Sequence, residues 1–248
     1  MQCVFEPMRI IVNRETLLLD ALGAAFWPAE STLIVSDLHF EKGSSFARKG
    51  QLLPPYDTMT TLAHIADLFA RHSPARVIAL GDSFHDTEGP ERLPEMARDR
   101  LASFISRSEW IWIEGNHDPD VPSWLGGKTT SEIAIGGLVF RHEPTGSLGE
   151  VAGHLHPCAT VTRRGHSMRR RCFVSDGARL VMPAFGAYTG GLSVRDPAFQ
   201  ALFGTSYLAY ALGGRRVYAV AGDPQVMRRN TIDDSHPNAA AISTVERP

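Results

Sequence analysis

Ile111-Trp112-Ile113, an apolar run, gives way after one residue to Gly115-Asn116-His117-Asp118. A β-like run that stops at an Asn, a His and an Asp delivers polar side chains to the rim of a buried sheet, where a site can be built. Taken alone, the tetrapeptide is equally well a turn. Four other stretches repeat its layout. Asp37-Leu38-His39 follows Leu33-Ile34-Val35, Gly81-Asp82 follows Val77-Ile78-Ala79-Leu80, His142 follows Leu138-Val139-Phe140, and Gly153-His154-Leu155-His156 follows Val151-Ala152. Each time, a short apolar run ends in a residue able to bind a metal.

Between these runs the hydrophobic period changes. Leu62, Ile65, Ala66 and Phe69 recur at helical spacing and predict an amphipathic helix over 58–71, with His64 and His72 off its stripe and facing solvent. Leu93, Met96, Ala97, Leu101 and Phe104 predict a second helix over 91–107. Strand, helix, strand alternation argues an α/β layering through the first half. Residues 9–19 read as a hairpin capping a sheet edge. In the second half, short β-like runs at 133–135, 138–141, 159–163, 168–175, 179–182 and 216–220 predict a second, largely antiparallel sheet packed on the first. The expected organisation is α/β (α+β), with residues 1–222 forming a single domain around one site and residues 223–248, polar and Ala-rich without an apolar period, a poorly ordered tail.

Bulk properties narrow the class. The 248 residues, 43% hydrophobic and 21% charged with a formal net charge of −2, describe an ordinary globular protein and argue against one that coats nucleic acid by bulk charge. Cys3, Cys158 and Cys172 are odd in number, far apart and in no C-x-x-C pair, so neither a disulfide framework nor a thiolate zinc site is indicated. With no signal-peptide layout and no run long enough to span a bilayer, the expectation is a cytoplasmic protein with no membrane partner.

Pooled, the candidate ligands are oxygens of Asp37, Asp82 and Asn116 and imidazole nitrogens of His39, His142, His154 and His156. They are too many for one tetrahedral ion, and an N/O set without thiolate suits manganese, iron, zinc and similar divalent ions better than a structural zinc. Two ions sharing a carboxylate is the economical arrangement. His85 and Asp86, directly after Gly81-Asp82-Ser83-Phe84, are placed behind the ligands or facing the substrate. Arg48 and Lys49 fall in a polar loop past His39, either solvated or in phosphate contact. Arg163, Arg164, Arg169, Arg170 and Arg171 crowd a hairpin around Gly165-His166 that is either a solvated tip or a phosphate-tracking arm. Thr189-Gly190-Gly191, after Pro183-Ala184-Phe185-Gly186, either brings backbone close to the site or simply turns.

Asp37-x-His39, Gly81-Asp82, Gly115-Asn116-His117-Asp118, His142 and Gly153-His154-x-His156, in this order, resemble the calcineurin-like metallophosphoesterases. The resemblance implies a two-sheet αββα metallophosphoesterase sandwich with a dinuclear centre at the strand ends. One ion would be held by Asp37, His39, Asp82 and His156, the other by Asp82, Asn116, His142 and His154, with Asp82 bridging. Manganese is the first expectation, with iron, zinc, nickel or cobalt as alternatives. The stretches Ser36 through Gly43, Leu53-Pro54-Pro55-Tyr56-Asp57-Thr58, Gly81 through Asp86, His142-Glu143-Pro144 and Pro183 through Gly191 further resemble the DNA-ligase-associated metallophosphoesterases, described as DNA repair phosphoesterases or endonucleases accompanying a ligase and a helicase.

The chemistry expected of that site is phosphoric ester hydrolysis. Two cations roughly 3.5 to 4 Å apart activate a bridging water as hydroxide, which attacks phosphorus in line, and His117 protonates the leaving oxygen. Asp118 either orients the His117 ring or serves the turn. Three functions stand in competition: a phosphodiesterase acting on DNA in repair, a small-molecule phosphoesterase acting on nucleotides or cyclic nucleotides, and a non-catalytic scaffold, which should have lost ligands or His117.

Overall fold

The computed structural model describes residues 6–118, 121–163 and 165–221. Arg164, Cys3 and the expected tail at 223–248 lie outside the described residues, as does the domain boundary at 222.

The first sheet runs in sequence order: β1 (Met8–Val12), β2 (Glu15–Leu19), β3 (Ala25–Trp27), β4 (Thr32–Val35), β5 (Arg76–Leu80), β6 (Glu109–Ile113) and β7 (Lys128–Thr130). Its first four strands pair antiparallel, starting with the expected hairpin, and β4 to β7 pair parallel. The second sheet holds β8 (Glu132–Ile135), β9 (Leu138–Arg141), β10 (Glu150–Ala152), β11 (Cys158–Arg163), β12 (His166–Ser175), β13 (Leu180–Val181), β14 (Leu208–Leu212) and β15 (Val217–Ala221), ordered 15-14-12-13-10-9-8 with β11 on the extension of β12. It is largely antiparallel, as expected, with β10 as the exception, lying parallel to both β9 and β13. The helices are α1 (Lys42–Arg48), α2 (Asp57–His72), α3 (Gly89–Arg92), α4 (Glu95–Ile105) and α5 (Pro197–Phe203).

Strand alternation builds the layers. In β5, Val77 and Ala79 face α2 and α4, where Leu62, Ile65, Phe69, Leu101 and Phe104 cover them. Ile78 and Leu80 face the other way, into a core shared with Phe140, Val151, Phe173 and Met182 of the second sheet. Strands buried on both faces read as continuous apolar runs, the pattern that β4, β5 and β6 show. On the far side of the second sheet, Phe199 and Phe203 of α5 pack on Cys172, Val174 and Ala209. The result is an αββα sandwich. Among the described residues, no helix is long and apolar enough to cross a membrane.

Three local expectations need correction. His72 does not face solvent: its ring stacks on Phe26 at 4.4 Å, and its imidazole lies 3.8 Å from the Asp20 carboxylate. His64 is half-buried, edge-on to Phe185. The helix expected over 91–107 is two, α3 and α4, because Pro94 ends one and starts the other, which leaves Met96 exposed. Finally, Lys42 to Arg48 is a helix rather than a loop. It is fastened to α2 by a reciprocal lock: Glu41 N–H donates to Thr58 Oγ1 (2.9 Å), Thr58 Oγ1 donates to Glu41 Oε1 (2.8 Å), and Gly43 N–H donates to Asp57 Oδ2 (2.9 Å).

Candidate metal centre

The parallel strands β4, β5 and β6 end together, and the two sheets bring the ends of β9 and β10 opposite them. Asp37 N–H donates to Gly81 O (3.2 Å), His39 N–H to Asp82 O (2.9 Å) and Gly153 N–H to His142 O (2.9 Å), so the segments past the strand ends are stitched to one another. Asp37, His39, Asp82, His154 and His156 all have left-handed backbone, with φ of 51°, 44°, 46°, 66° and 46°. Such conformations cost non-glycine residues about 1–3 kcal/mol each and persist where the surroundings fix them, typically at functional sites.

Glycines make room for this crowding. A Cβ at Gly115 would lie 2.1 Å from the Asp82 backbone nitrogen and 2.4 Å from its Oδ1, and one at Gly153 would meet Ser36 Oγ at 1.9 Å and Asp37 Oδ2 at 2.5 Å. The glycine before Asn116 and the glycine before His154 are therefore part of the site, because any side chain there would displace a carboxylate.

Two groups of donor atoms converge. Asp37, His39, Asp82 and His156 form one, and Asp82, His142 and His154 the other; within each group the donor atoms lie within 4.8 Å of one another. His156 Nε2 is 3.0 Å from Asp37 Oδ1 and 3.4 Å from His39 Nε2, which stands 3.9 Å from Asp82 Oδ2. In the second group, Asn116 Oδ1 lies 2.9 Å from His142 Nε2 and 3.1 Å from His154 Nδ1, and His142 Nε2 is 3.5 Å from Asp82 Oδ1. The structure thus brings together all seven of the sequence-derived ligand candidates, with Asp82 common to both groups.

The donor chemistry fits cations. His142 Nδ1 is 2.9 Å from the Leu80 carbonyl, which can only accept, so Nδ1 carries the proton. In the neutral ring, Nε2 then presents its lone pair to the Asn116 oxygen, the Asp82 carboxylate and His154, an arrangement that a positive ion among them satisfies. Burial pushes the His39 pKa down to about 3, the Asp37 charge restoring only part of it, so this imidazole is neutral and able to ligate. Burial works against charge on Asp37, yet the hydrogen bond and charge of His156, helped by His142 and the Ser36 hydroxyl (2.5 Å), hold its carboxyl below the usual range. Neither the Leu80 carbonyl nor the Ser36 hydroxyl is legible as a site group in the sequence.

His117 lies outside both groups. Its backbone N–H donates to Asp82 Oδ1 (2.9 Å), its Nε2 is 3.9 Å from Asp82 Oδ2, and its side chain is 44% exposed, open to an incoming substrate. His85 stacks on it with ring centroids 5.6 Å apart. Asp118 does not orient the His117 ring. It is buried beneath the site, Oδ2 accepts the Phe84 N–H (2.9 Å), and burial, reinforced by the charges of Asp82 and Asp37, pushes its pKa up to about 8. Asp86 is engaged by both its oxygens with Arg92 (2.8 Å each).

The tip of the arginine hairpin at 165–170 is exposed, as the solvated reading expects, while Arg169 and Arg171 are engaged with the glycine-rich loop. Arg171 donates to the carbonyls of Ala184 (2.7 Å), Phe185 (3.1 Å) and Gly186 (3.2 Å), and Arg169 donates to Gly191 O. Phe185 N–H and Gly186 N–H in turn donate to Ser36 O and Asp37 O, so the glycine-rich loop brings backbone close to the site and the arginines hold it there. Arg170 is exposed, its guanidinium on Met168 Sδ; the Arg163 side chain, like Arg164, lies outside the described residues. Arg171→Ala is expected to cost about 1.5–3 kcal/mol, the worth of charge-assisted hydrogen bonds to a buried partner. That lowers Tm by roughly 5–10 °C, with oligonucleotide affinity unchanged. Thermal melts and anisotropy check the pair of outcomes, and weakened affinity without a Tm change would restore the arm.

A family model for calcineurin-like phosphoesterases matches residues 31–176, more than half of the chain. The chain belongs to the calcineurin-like phosphoesterase family. It is a metal-dependent phosphoester hydrolase, and the scaffold reading falls away. Among solved structures, this phosphoesterase is similar to the Pseudomonas putida nuclease MPE at 28% identity and a TM-score of 0.70, covering 86% of this chain and 100% of that one. It is also similar to Yfce, a phosphoesterase from E. coli, at 17% identity and a TM-score of 0.40, covering 77% and 99%. No curated protein matches its sequence.

Proposed function

We propose that this phosphoesterase is a phosphodiesterase acting on DNA, with two divalent cations, manganese first among them, held by Asp37, His39, Asp82 and His156 and by Asp82, Asn116, His142 and His154. The observation that carries the reading is Asp82, shared by two converging donor groups with the solvent-open His117 ring beside it. The likeness to a nuclease over that protein's whole length supports a nucleic acid as the substrate, and the resemblance to DNA-ligase-associated metallophosphoesterases favours DNA. A role in repair beside a ligase and a helicase, in the cytoplasm, extends the same reading; the free, buried Cys158 and Cys172 suit a reducing setting. The core common to both sheets supports one domain organised around one site.

When bound, the cations would lower the pKa of a water and neutralise charge on a phosphoryl group. The chain's own residues do the rest. His117 Nε2 supplies the proton to the leaving oxygen, worth about 10² to 10⁴-fold. The Asp82 carboxylate holds that residue through its backbone N–H, with the Nε2 3.9 Å from the other carboxylate oxygen. His85 limits rotation of the His117 ring by stacking, and Asp118, by holding Phe84 N–H, steadies the turn that carries Asp82.

The test is hydrolysis by Mn-loaded protein of bis-p-nitrophenyl phosphate, p-nitrophenyl phosphate and single-stranded DNA. Cleavage of DNA and of the diester is the expected result. Turnover of the monoester alone would transfer the assignment to a small-molecule phosphoesterase.

A further inference from the structure

Helix α1 stands on the side of the centre where His117 is open, and a file of rings leads to it. His117 Nε2 is 3.9 Å from Asp82 Oδ2, the His117 and His85 rings stack at 16°, the His85 and Phe46 ring centroids are 5.5 Å apart, and Lys42 Nζ stands 5.9 Å over the Phe46 ring. Lys49 caps the C-terminal end of the same helix. Phe46 is half-buried and Lys49 exposed. Of the acids nearby, Asp86 is paired with Arg92 and Glu88 with Arg48 and Arg92, while Glu41 and Asp57 are buried in the lock to α2, so the unpaired charges that α1 turns outward are the ammonium groups of Lys42 and Lys49. The lock of Glu41 and Gly43 onto Asp57 and Thr58 fixes the helix in place.

Another rim of the centre has the other sign. There a cleft of about 360 Å³ beside Asn116 and His142 is walled by Glu114, Glu132 and Glu143. Its one lining guanidinium, Arg141, is paired with Glu132 at 2.9 Å. A polyanion leaving the centre is repelled by that wall and drawn along α1.

We propose that Phe46, flanked by Lys42 and Lys49, seats the nucleobase adjoining the scissile phosphate of a single DNA strand. The inference rests on the DNA reading above. Bases in a duplex have their faces covered, whereas an unpaired base stacks on an aromatic ring whatever its identity, and the flanking ammonium groups meet the next phosphate. The tract therefore selects unpaired strand without reading sequence.

Binding is measured by anisotropy of a fluorescein-labelled oligothymidylate with EDTA present, so that the strand stays intact. Phe46→Leu, which keeps the apolar bulk but lacks the ring, should bind about tenfold more weakly, and Phe46→Trp at least as tightly as the native protein. Lys49→Ala should reduce the slope of log affinity against log salt by roughly 0.7. In the Mn-loaded enzyme, Phe46→Leu should lower the preference for thymidine 5′-p-nitrophenyl phosphate over methyl p-nitrophenyl phosphate by about tenfold. Equal affinities for the Leu, Trp and native proteins would overturn the seat while leaving the hydrolase reading intact. Loss of the binding pattern and loss of diester turnover are separate results: if neither ester nor DNA is cleaved, the DNA-hydrolase reading fails, and the anisotropy series still decides the seat.

Discussion

Asp82→Asn is expected to abolish most Mn-dependent turnover, on the order of 10³-fold, without unfolding the protein. The substitution keeps shape and keeps an oxygen to accept the His117 N–H now donated to Asp82 Oδ1 at 2.9 Å. What it removes is the negative charge common to both donor groups. Metal-assisted charge stabilisation is worth several kcal/mol, and at 1.4 kcal/mol per decade this gives the stated loss. Stability should respond in a way that a generally damaged protein would not. For the native protein, Mn at a hundredfold excess over Kd adds about 2.7 kcal/mol, roughly 5–10 °C in Tm. The variant should lose most of that increment. Without metal it should melt no lower than the native chain, because Asp37 and Asp82, both buried with donor atoms in one group, repel when nothing positive lies between them. Melts with and without Mn, together with metal analysis of dialysed protein, check the prediction. Two tightly held Mn ions in the variant would remove Asp82 from the shared position.

The strand ends were readable in the sequence because the same local event recurs: an apolar run, then a polar residue that a buried strand would not tolerate. Val77 to Asp82 and Ile111 to Asn116 are such events, and their burial on both faces made them strands of a central sheet. What the sequence hid depends on partners far along the chain. Helix α1 has seven residues with Gly43, Ser44 and Ser45 among them; it lacks an apolar stripe and is held by Asp57 and Thr58 instead. The arginines of β12 looked like a charged hairpin because nothing local shows that the carbonyls of 184–191 come to meet them. Helical periodicity puts His72 in solvent because it is blind to Phe26 on a strand of the first sheet. The break at Pro94, by contrast, is legible in the sequence, because a proline disfavours helical backbone in the residue before it. Gly115 and Gly153 were visible too, but why they are glycines follows only from the 2 Å approaches that a Cβ would make to the carboxylates and their neighbours.

His117→Asn should lose about 10² to 10⁴-fold in turnover of DNA, whose leaving group is a poor alkoxide, and little on bis-p-nitrophenyl phosphate, whose leaving phenolate departs without protonation. The contrast between substrates carries the argument, because His117 touches Asp82 in two ways that the variant separates. The backbone N–H to Asp82 Oδ1 survives, so the carboxylate stays where both donor groups need it, and metal content should match the native protein. The imidazole 3.9 Å from Asp82 Oδ2, 44% exposed toward solvent, is gone, and with it the proton for the leaving oxygen. An equal loss on both substrates with full metal content would mean that the ring binds the phosphoryl group rather than protonating the leaving atom. An equal loss with metal missing would make His117 a positioning residue for Asp82. Only the split between a slow alkoxide and a nearly unaffected phenolate is the mark of a general acid, and measuring DNA and diester turnover beside Mn content in one preparation distinguishes the three.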